Sequence, residues 1–242
     1  MADARVEGSK GRSAFQEVFG EMPLPESISC AVMNYDDYWK SRDETGILAE
    51  PAKRRARGIL PFINPGDSVL DIGCGTGETL EVLRKEKGIA GTGLDISEVA
   101  LKAVEGKGFE TLKRDISKPD CELVGVWDHI VMFEVAEHVI DIEVMVKRLV
   151  GHYTKGLYIS TPNLGYVSHR LRMLFGRFPV TYISDPREHV RYWSVKDFVY
   201  WSGVLGFRSP EVIGLRGKPR VFKLPARFPS LFASEVVYRF KP

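Results

Sequence analysis

The chain has 242 residues, of which 44% are apolar, so it can bury the core of one substantial domain. No run approaches the roughly 18 apolar residues that a membrane-spanning helix needs, and the polar start is unlike a signal peptide, so we expect a cytoplasmic protein. Cys30, Cys74 and Cys121 are widely spaced and contain no C-x-x-C pair, which argues against a disulfide framework or a cysteine zinc site.

The net charge of +2 conceals an uneven distribution of charge along the chain. Residues 151–242 contain 15 Lys and Arg against 5 Asp and Glu, whereas residues 1–150 contain 19 against 27. A basic last third is compatible with an ordinary solvated surface, and equally with an anionic acceptor, a membrane surface or nucleic acid.

The N-terminal region is predicted to be an arm followed by a cap helix, over residues 1–50, ahead of one α/β domain over residues 51–242. Its first thirty residues mix glycine, serine, proline and charge without sustained periodicity, so we expect a loosely held arm. The stretch NYDDYWKSR then places Tyr35, Tyr38 and Trp39 at helical spacing, which favours packing on the core over ligand binding. A helix with a basic face follows within GILAEPAKRRARGILPFI.

From Asp67 onward, the apolar pattern alternates between short strands and amphipathic helices, which is typical of successive βα units around a parallel sheet. The later segments RSPEVIGL and SEVVYRF are predicted to close the sheet as an antiparallel pair. The other predicted strands cover residues 67–72, 90–95, 109–113, 127–133 and 155–160. The predicted helices cover residues 77–87, 97–106, 139–150 and 194–205.

The stretch VLDIGCGTG, residues 69–77, joins the first of these strands to a helix through a glycine loop. A dinucleotide-binding turn has the spacing G-x-G-x-x-G, whereas Gly73, Gly75 and Gly77 alternate here. Asp71 precedes the loop and would repel a pyrophosphate, but it suits a ligand that carries an ammonium group. The loop therefore predicts a nucleoside that carries an amino acid.

Two further carboxylates follow the next two strands. Asp95 ends the second strand, where an acidic side chain can accept both hydroxyls of a ribose. Asp115 follows the third strand, where it can accept from an adenine amino group, with Ile96 and Ile116 as apolar walls. One such carboxylate is more typical of a helix cap, but three at successive strand ends form a coherent nucleoside site.

The ordered set VLDIGCGTG, GLDIS, RDIS and WDHIVMFEVAEHV resembles the core of the class I S-adenosylmethionine-dependent methyltransferases over residues 67–160. The resemblance implies an α/β fold with a Rossmann-like, doubly wound, seven-stranded and mostly parallel sheet, and with helices on both faces. It also implies S-adenosylmethionine as the cofactor, bound over the carboxyl ends of strands one to four. The resemblance implies that the methionine portion of the cofactor is surrounded by Asp71, Gly73, Gly75 and Gly77. It implies that Asp95 binds the ribose and that Asp115 and Ile116 bind the adenine. Phe133 and Glu134 would line the reacting side.

A hydroxyl acceptor has to lose its proton during methyl transfer, which calls for a general base or a Lewis-acid metal. Glu134, Glu137 and His138 fall on one side if EVAEHV is the first turn of a helix, and they are the candidate catalytic residues. Ubiquinone-biosynthesis O-methyltransferases and small-RNA terminal 2′-O-methyltransferases resemble this stretch. In the latter, E-x-x-E-H binds a metal together with a further histidine, to which His189 is similar in position.

We favour His138 as a general base over the alternatives of a metal ligand or a structural residue, and we assign no metal site. The reason is that sequence assures only one nitrogen ligand and two carboxylates in this segment, while His189 has to come from a distant loop to complete a set.

The segment after the fifth strand interleaves basic and apolar residues, and residues 165–190 are predicted to be an insertion that forms a lid over the acceptor pocket. An interfacial membrane contact and ordinary core packing are the alternatives. From its PN to its KDF, the segment also resembles the methionine-biosynthesis MetW family.

The leading hypothesis is O-methylation of a small or lipid-linked acceptor that carries phosphate or carboxylate. RNA ribose methylation with a divalent metal is a second hypothesis, favoured by the basic last third, although no separate RNA-binding module is recognisable. A third hypothesis treats the protein as a non-catalytic, MetW-like partner of a biosynthetic enzyme.

Overall fold

The structure is a computed structural model that describes residues 34–43, 49–118, 120–179, 189–217 and 223–242. The predicted N-terminal arm, residues 1–30, lies outside these residues, and so does part of the predicted lid, residues 180–188. A search for membrane-spanning helices among the described residues finds none that is both long and apolar enough.

A sheet of seven strands forms the centre of the fold. The strands are β1 (Ser68–Ile72), β2 (Ala90–Asp95), β3 (Glu110–Lys113), β4 (Trp127–Phe133), β5 (Tyr153–Pro162), β6 (Glu211–Arg216) and β7 (Glu235–Phe240). Their order is β3-β2-β1-β4-β5-β7-β6, and β1 to β5 pair in parallel. Strand β7 lies antiparallel between β5 and β6. The predicted seven-stranded, mostly parallel sheet with a closing antiparallel pair is confirmed.

The helices follow the predicted alternation with strands. They are α1 (Tyr35–Asp43), α2 (Ala49–Ile59), α3 (Glu78–Lys87), α4 (Glu98–Gly106), α5 (Ile142–Arg148), α6 (Val167–Leu174), α7 (Val195–Val204), α8 (Leu224–Arg227) and α9 (Pro229–Phe232). Side-chain caps fix two of the starts: Ser97 accepts from the backbone N–H of Ala100 at α4, and Ser194 forms a capping box with Asp197 at α7.

Helices cover both faces of the sheet, as predicted. Alternate residues of a strand point to opposite faces, so Leu70 and Ile130 belong to one buried cluster while Val69 and Val131 belong to the other. The first cluster is covered by α5 and α7, and the second by α2, α3 and α4. The architecture is therefore the doubly wound α/β type.

The sheet order reverses direction at β1, whose neighbours are β2 on one side and β4 on the other. The loops that leave β1 and β4 consequently diverge to opposite sides and open a crevice at the carboxyl ends of the strands, which is where ligands bind in such sheets.

The segment after β4 differs from the prediction of a helix over residues 139–150. Only Ile142–Arg148 is α-helical, and a separate 3₁₀ turn covers Ala136–His138. The turn begins after Glu134, whose φ of +54° is left-handed and interrupts the chain directly after the strand. The expected helical first turn is therefore absent from this part of the described chain.

Candidate active site

A cavity of about 570 Å³ opens at the carboxyl ends of the central strands. Its walls come from α1, from the end of β2 and from the loops that follow β1, β3 and β4. The residues predicted from the sequence that line it are Gly73, Asp95, Ile96, Asp115, Ile116, Glu134 and His138. Four strand ends that are remote in sequence thus meet at one site.

Asp95 is held rigidly at the end of β2. Its Oδ2 accepts a hydrogen bond from the Gly75 backbone N–H at 3.0 Å, and its Oδ1 accepts from the Ser97 N–H at 2.9 Å. Burial raises the pKa of the Asp95 carboxyl, and these two backbone hydrogen bonds oppose that rise. Because each carboxylate oxygen can accept a second hydrogen bond, Asp95 can bind two hydroxyls on its cavity side.

The glycine loop is packed so tightly that side chains would not fit. A Cβ atom on Gly73 would lie 2.4 Å from Cγ2 of Val135, and one on Gly75 would lie 2.4 Å from the ring of Trp39. Both glycines have positive φ, at +68° and +52°. The loop is therefore clamped between the segment after β4 and helix α1.

Helix α1 is part of the cavity wall. Its Asp36 accepts hydrogen bonds at Oδ1 from Ser97 Oγ at 2.6 Å and from the Val99 backbone N–H at 3.3 Å, which joins α1 to the start of α4. The expectation that the aromatic residues of α1 pack on the core was wrong. Tyr35, Tyr38 and Trp39 line the cavity instead.

The side of the cavity after β3 contains the second predicted carboxylate. Asp115 accepts at Oδ1 from the Ser117 N–H at 3.0 Å and from Ser117 Oγ at 2.6 Å, which fixes the loop. Ile116 packs partly against the core, and Ile96 is 39% exposed. Arg114 and Lys118 also line this side, and the sequence analysis missed them because exposed cations beside a turn carry no distinctive signal.

Four of the predicted cofactor-binding residues do not line this cavity: Asp71, Gly75, Gly77 and Phe133. Asp71 alternates with Leu70 and Ile72, so its side chain points to the face covered by α2, and Phe133 is buried on that same face. Gly75 takes part through its backbone N–H, and Gly77 is the N-cap of α3. Spacing predicted the right loop but not the direction of each side chain.

An ion-pair cluster that the sequence analysis did not predict lies at the carboxyl end of the sheet. Arg55 Nη1 binds Glu235 Oε1 at 2.7 Å, and Arg54 Nε binds Glu235 Oε2 at 2.8 Å, which joins α2 to the start of β7. Burial raises the pKa of Asp71 well above its ordinary value, with Asp95 adding to the rise and Arg55 opposing it. The Oδ2 atom of Asp71 has no hydrogen-bond partner among the described residues.

Glu134 is held at the turn after β4 by one neighbouring serine. Its backbone N–H donates to Ser160 Oγ at 3.0 Å, and Ser160 Oγ donates to Glu134 Oε1 at 2.8 Å. Burial raises the pKa of the Glu134 carboxyl, and Arg55 is the main opposing influence. A non-glycine residue at positive φ costs roughly 1–3 kcal/mol, which the surrounding contacts have to offset.

EVAEHV contains a 3₁₀ turn instead of the predicted first turn of an α-helix, and of its three candidate catalytic residues only Glu134 and His138 line the cavity. Glu137 is 1% exposed, and neither of its carboxylate oxygens has a hydrogen-bond partner among the described residues. Burial raises its pKa well above the ordinary value, and Glu134 adds to this rise. His138 lines the cavity, and its Nε2 lies 3.9 Å from Glu137 Oε1.

His189 lies directly beside this pair. The ring centroids of His138 and His189 are 4.8 Å apart, and the planes are inclined by 30°. The Glu137 carbonyl accepts from the backbone N–H groups of Val190 at 2.8 Å and Arg191 at 3.1 Å, so the two segments are joined at this point. The distant histidine noted in the sequence therefore lies next to His138 at the edge of the cavity.

Helix α6, in the predicted lid, buries polar side chains and exposes apolar ones, which is the reverse of an ordinary surface helix. Its buried residues are polar: Ser168, His169 and Arg172. Leu174 and Phe175 are 75% and 60% exposed. An ordinary surface helix buries its apolar side, so the exposed side of α6 is suited to contact with an apolar partner or ligand.

A comparison with known protein families assigns the chain to one of them. The family described as methionine biosynthesis protein MetW matches residues 54–240. The chain belongs to the MetW family. A search of the curated proteins finds no match.

Solved structures of the same fold include several methyltransferases. A SAM-dependent methyltransferase of Archaeoglobus fulgidus is 22% identical with a TM-score of 0.62, covering 86% of this chain and 100% of that one. A Haloferax volcanii structure is a complex of the Trm112 methyltransferase activator with a protein described as a methyltransferase. It is 16% identical with a TM-score of 0.64, covering 87% of this chain and 99% of that one. Magnesium protoporphyrin IX methyltransferase of Synechocystis, with bound SAM, is 14% identical with a TM-score of 0.51, covering 93% of this chain and 88% of that one. At these identities the likeness shows the fold, which is that of the class I methyltransferases.

Proposed function

We propose that this MetW family member transfers the methyl group of S-adenosylmethionine to an oxygen atom of a small or lipid-linked acceptor that carries negative charge. One observation carries the proposal. A single cavity is lined by Asp95 and Asp115, from the ends of β2 and β3, and by His138, from the loop after β4.

The residues present suit this cofactor. A cavity of about 570 Å³ lies within the range of roughly 300–1,000 Å³ that is usual for small-molecule sites. The free lone pairs of Asp95 would accept the ribose hydroxyls, Asp115 would accept from the adenine amino group, and Ile96 with Ile116 would contact the base. When bound, the cofactor supplies an activated methyl group, so the protein mainly has to position the acceptor.

The proton of the acceptor is the remaining chemical requirement. His138 lines the cavity and has an imidazole nitrogen that can accept a proton from an acceptor hydroxyl. Glu134 also lines the cavity, and Glu137 Oε1 lies 3.9 Å from His138 Nε2, so this carboxyl group is placed to stabilise the imidazole once it has taken up the proton. This arrangement favours transfer to oxygen.

Helix α6 and the segment after it suggest an acceptor with an apolar part. The ring of Phe178 contacts that of Tyr192 edge-on at 5.8 Å, and the Tyr192 hydroxyl donates to the His189 carbonyl at 2.8 Å. The segment after α6 is thereby joined to the loop that carries His189. Arg170 and Arg177 add positive charge, and residues 163–184 contain no acidic residue, which suits an anionic lipid-linked acceptor.

A labelling experiment tests the proposal. The protein is incubated with methyl-labelled S-adenosylmethionine and a cell extract, which is then divided into lipid, aqueous and RNA fractions. We expect label in the lipid fraction, lost with Leu174→Asp and Phe175→Asp, whose positions are exposed. Tyr200→Asp and Val204→Asp, exposed on α7, are the matched controls. Label in RNA, or calorimetry showing no binding of the cofactor, would contradict the proposal.

A second candidate is a non-catalytic role as the partner of a biosynthetic enzyme. The family match over residues 54–240 favours it. In that case the protein would bind S-adenosylmethionine in the same cavity without labelling any fraction. Substitutions at His138 would then leave its effect on the partner enzyme unchanged, whereas substitutions at Asp95 would remove any effect that depends on the cofactor.

A further inference from the structure

A carboxylate and two imidazoles meet beside the cavity. One ligand atom each from Glu137, His138 and His189 can be chosen so that all lie within 4.8 Å of one another. In a tetrahedral zinc site with bonds of about 2.1 Å, ligand atoms are roughly 3.4 Å apart, so a shift of about 1.5 Å or less would close the set.

The carboxylate of Glu137 is the observation that calls for a ligand. It is 1% exposed, and both of its oxygens lack a hydrogen-bond partner among the described residues. A buried carboxylate without hydrogen bonds is costly, and buried charges in proteins are normally paired or bound to a metal ion. Glu134 lies nearby but already accepts from Ser160 Oγ.

The loop that carries His189 is anchored through Arg191, two residues further along the chain. Arg191 Nη1 and Nη2 bind the two carboxylate oxygens of Glu143, each at 2.9 Å, and Trp201 Nε1 donates to Glu143 Oε1 at 2.9 Å. The loop carrying His189 is thus fastened to α5, directly after the segment that carries Glu137 and His138. Bidentate arginine–carboxylate pairs give this kind of geometric precision.

We propose that Glu137, His138 and His189 bind one divalent transition-metal ion of the zinc or cobalt class. Two imidazoles and one carboxylate suit zinc, cobalt or iron better than magnesium or calcium, which prefer oxygen ligands. Three protein ligands would leave a coordination position open, and His138 lines the cavity, so the ion would lie at its edge. There the ion would polarise an acceptor hydroxyl, whose proton would leave to water.

The proposal revises the preference for His138 as a base. That preference depended on the distance of His189 in the sequence, and in the structure the two rings are adjacent. It deepens the proposed function, because the ion would lie where the acceptor oxygen has to lose its proton. Binding of the ion is nevertheless measurable without cofactor or acceptor, so failure of one proposal does not decide the other.

The test uses the full chain, freed of metal by chelation and titrated with Co²⁺ while visible d–d absorption is recorded. We expect one ion per chain, confirmed by elemental analysis, and a Zn²⁺-dependent rise in melting temperature. Outer partners of metal ligands typically contribute about 10–100-fold to affinity, so His189→Ala and Glu137→Gln should each weaken binding by at least about 100-fold. His152→Ala and Glu122→Gln, both away from the cluster, are the matched controls.

Two further readouts keep the test decisive. Circular dichroism of each metal-free variant shows whether it is folded, and Glu137→Gln, which keeps the shape of the side chain, should be at least as stable as the parent without metal. Binding that is absent in the parent chain, or equally strong in His189→Ala and His152→Ala, would overturn the proposal.

Discussion

The carboxyl groups at the two ends of the parallel sheet differ in whether they have hydrogen-bond partners. At the amino end, Asp67 accepts from His129 Nε2 at 2.8 Å, from Lys155 Nζ at 2.5 Å and from the Asn64 N–H at 2.8 Å. Asp128, beside it, accepts from the Ser68 N–H at 3.0 Å. Every carboxylate named here is paired, and the pKa values of both are lowered.

At the carboxyl end, Asp71 and Glu137 are buried with raised pKa values and with oxygens that have no partner among the described residues. The difference indicates that Asp67 and Asp128 contribute stability, whereas Asp71 and Glu137 cost stability as long as their carboxylate oxygens lack a partner. Strongly shifted pKa values are common at functional sites, so these two carboxyl groups at the carboxyl end support a functional role for that end.

The largest expected effect compares the same substitution at the two ends. Asp67→Asn should lower the free energy of unfolding by about 2–3 kcal/mol, because it weakens hydrogen bonds to charged groups inside the fold. Asp71→Asn should leave the ligand-free protein equally stable or more stable, because it removes a desolvated charge. Urea unfolding of both variants without ligands measures the pair. Equal losses would show that the two ends do not differ.

The next effect concerns ligand affinity, which should depend on the carboxyl end of the sheet and not on the amino end. Asp95→Ala should weaken S-adenosylmethionine binding by about 1–3 kcal/mol, or roughly 10–100-fold, through loss of charged hydrogen bonds. Asp128→Asn, at the amino end, should leave affinity unchanged. Isothermal titration calorimetry measures both, with Asp120→Ala as an exposed control. An effect of Asp128→Asn as large as that of Asp95→Ala would contradict the division of roles.

Sequence reasoning predicted that the residues after β1, β2 and β3 meet at one cavity, because the signals for this are local. Gly73, Asp95 and Asp115 each follow a strand, and parallel strands bring their carboxyl ends together wherever the sheet forms. The reacting half depends on contacts between remote segments, such as His138 with His189 and Arg55 with Glu235. Neither contact leaves a periodic pattern in the sequence.

Side-chain direction was the other failure. The prediction that Glu134, Glu137 and His138 all project toward the cofactor assumed an α-helical turn, whereas the segment is a 3₁₀ turn and Glu137 does not line the cavity. The aromatic residues of α1 were assigned to the core because helical spacing does not distinguish a core from a ligand cavity. Trp39 instead covers Gly75, which only a three-dimensional structure reveals.

The smallest expected effect is the pH dependence of stability, and its sign differs between the ends. Hydrogen bonds to Ser68, Lys155 and Thr154 lower the pKa of Asp128 to about 2. The folded state therefore binds its proton less readily than the unfolded state, so Asp128 stabilises the fold above pH 3.8 and loses that contribution as the pH falls through about 2. Asp71, with a raised pKa, contributes the opposite slope, because its protonation favours the folded state.

Urea midpoints of the parent and of Asp128→Asn, measured from neutral pH down to pH values near 2, check this sign. The parent should be the more stable at neutral pH by a small margin, since the Asp128 side chain is 28% exposed and solvent screens its interactions. The margin should shrink as the pH falls below 3.8, while Asp120→Asn, an exposed control, should follow the parent throughout. A margin that grows on acidification would mean that Asp128 is not stabilised as a carboxylate, and the contrast between the two ends would then rest on Asp67 alone.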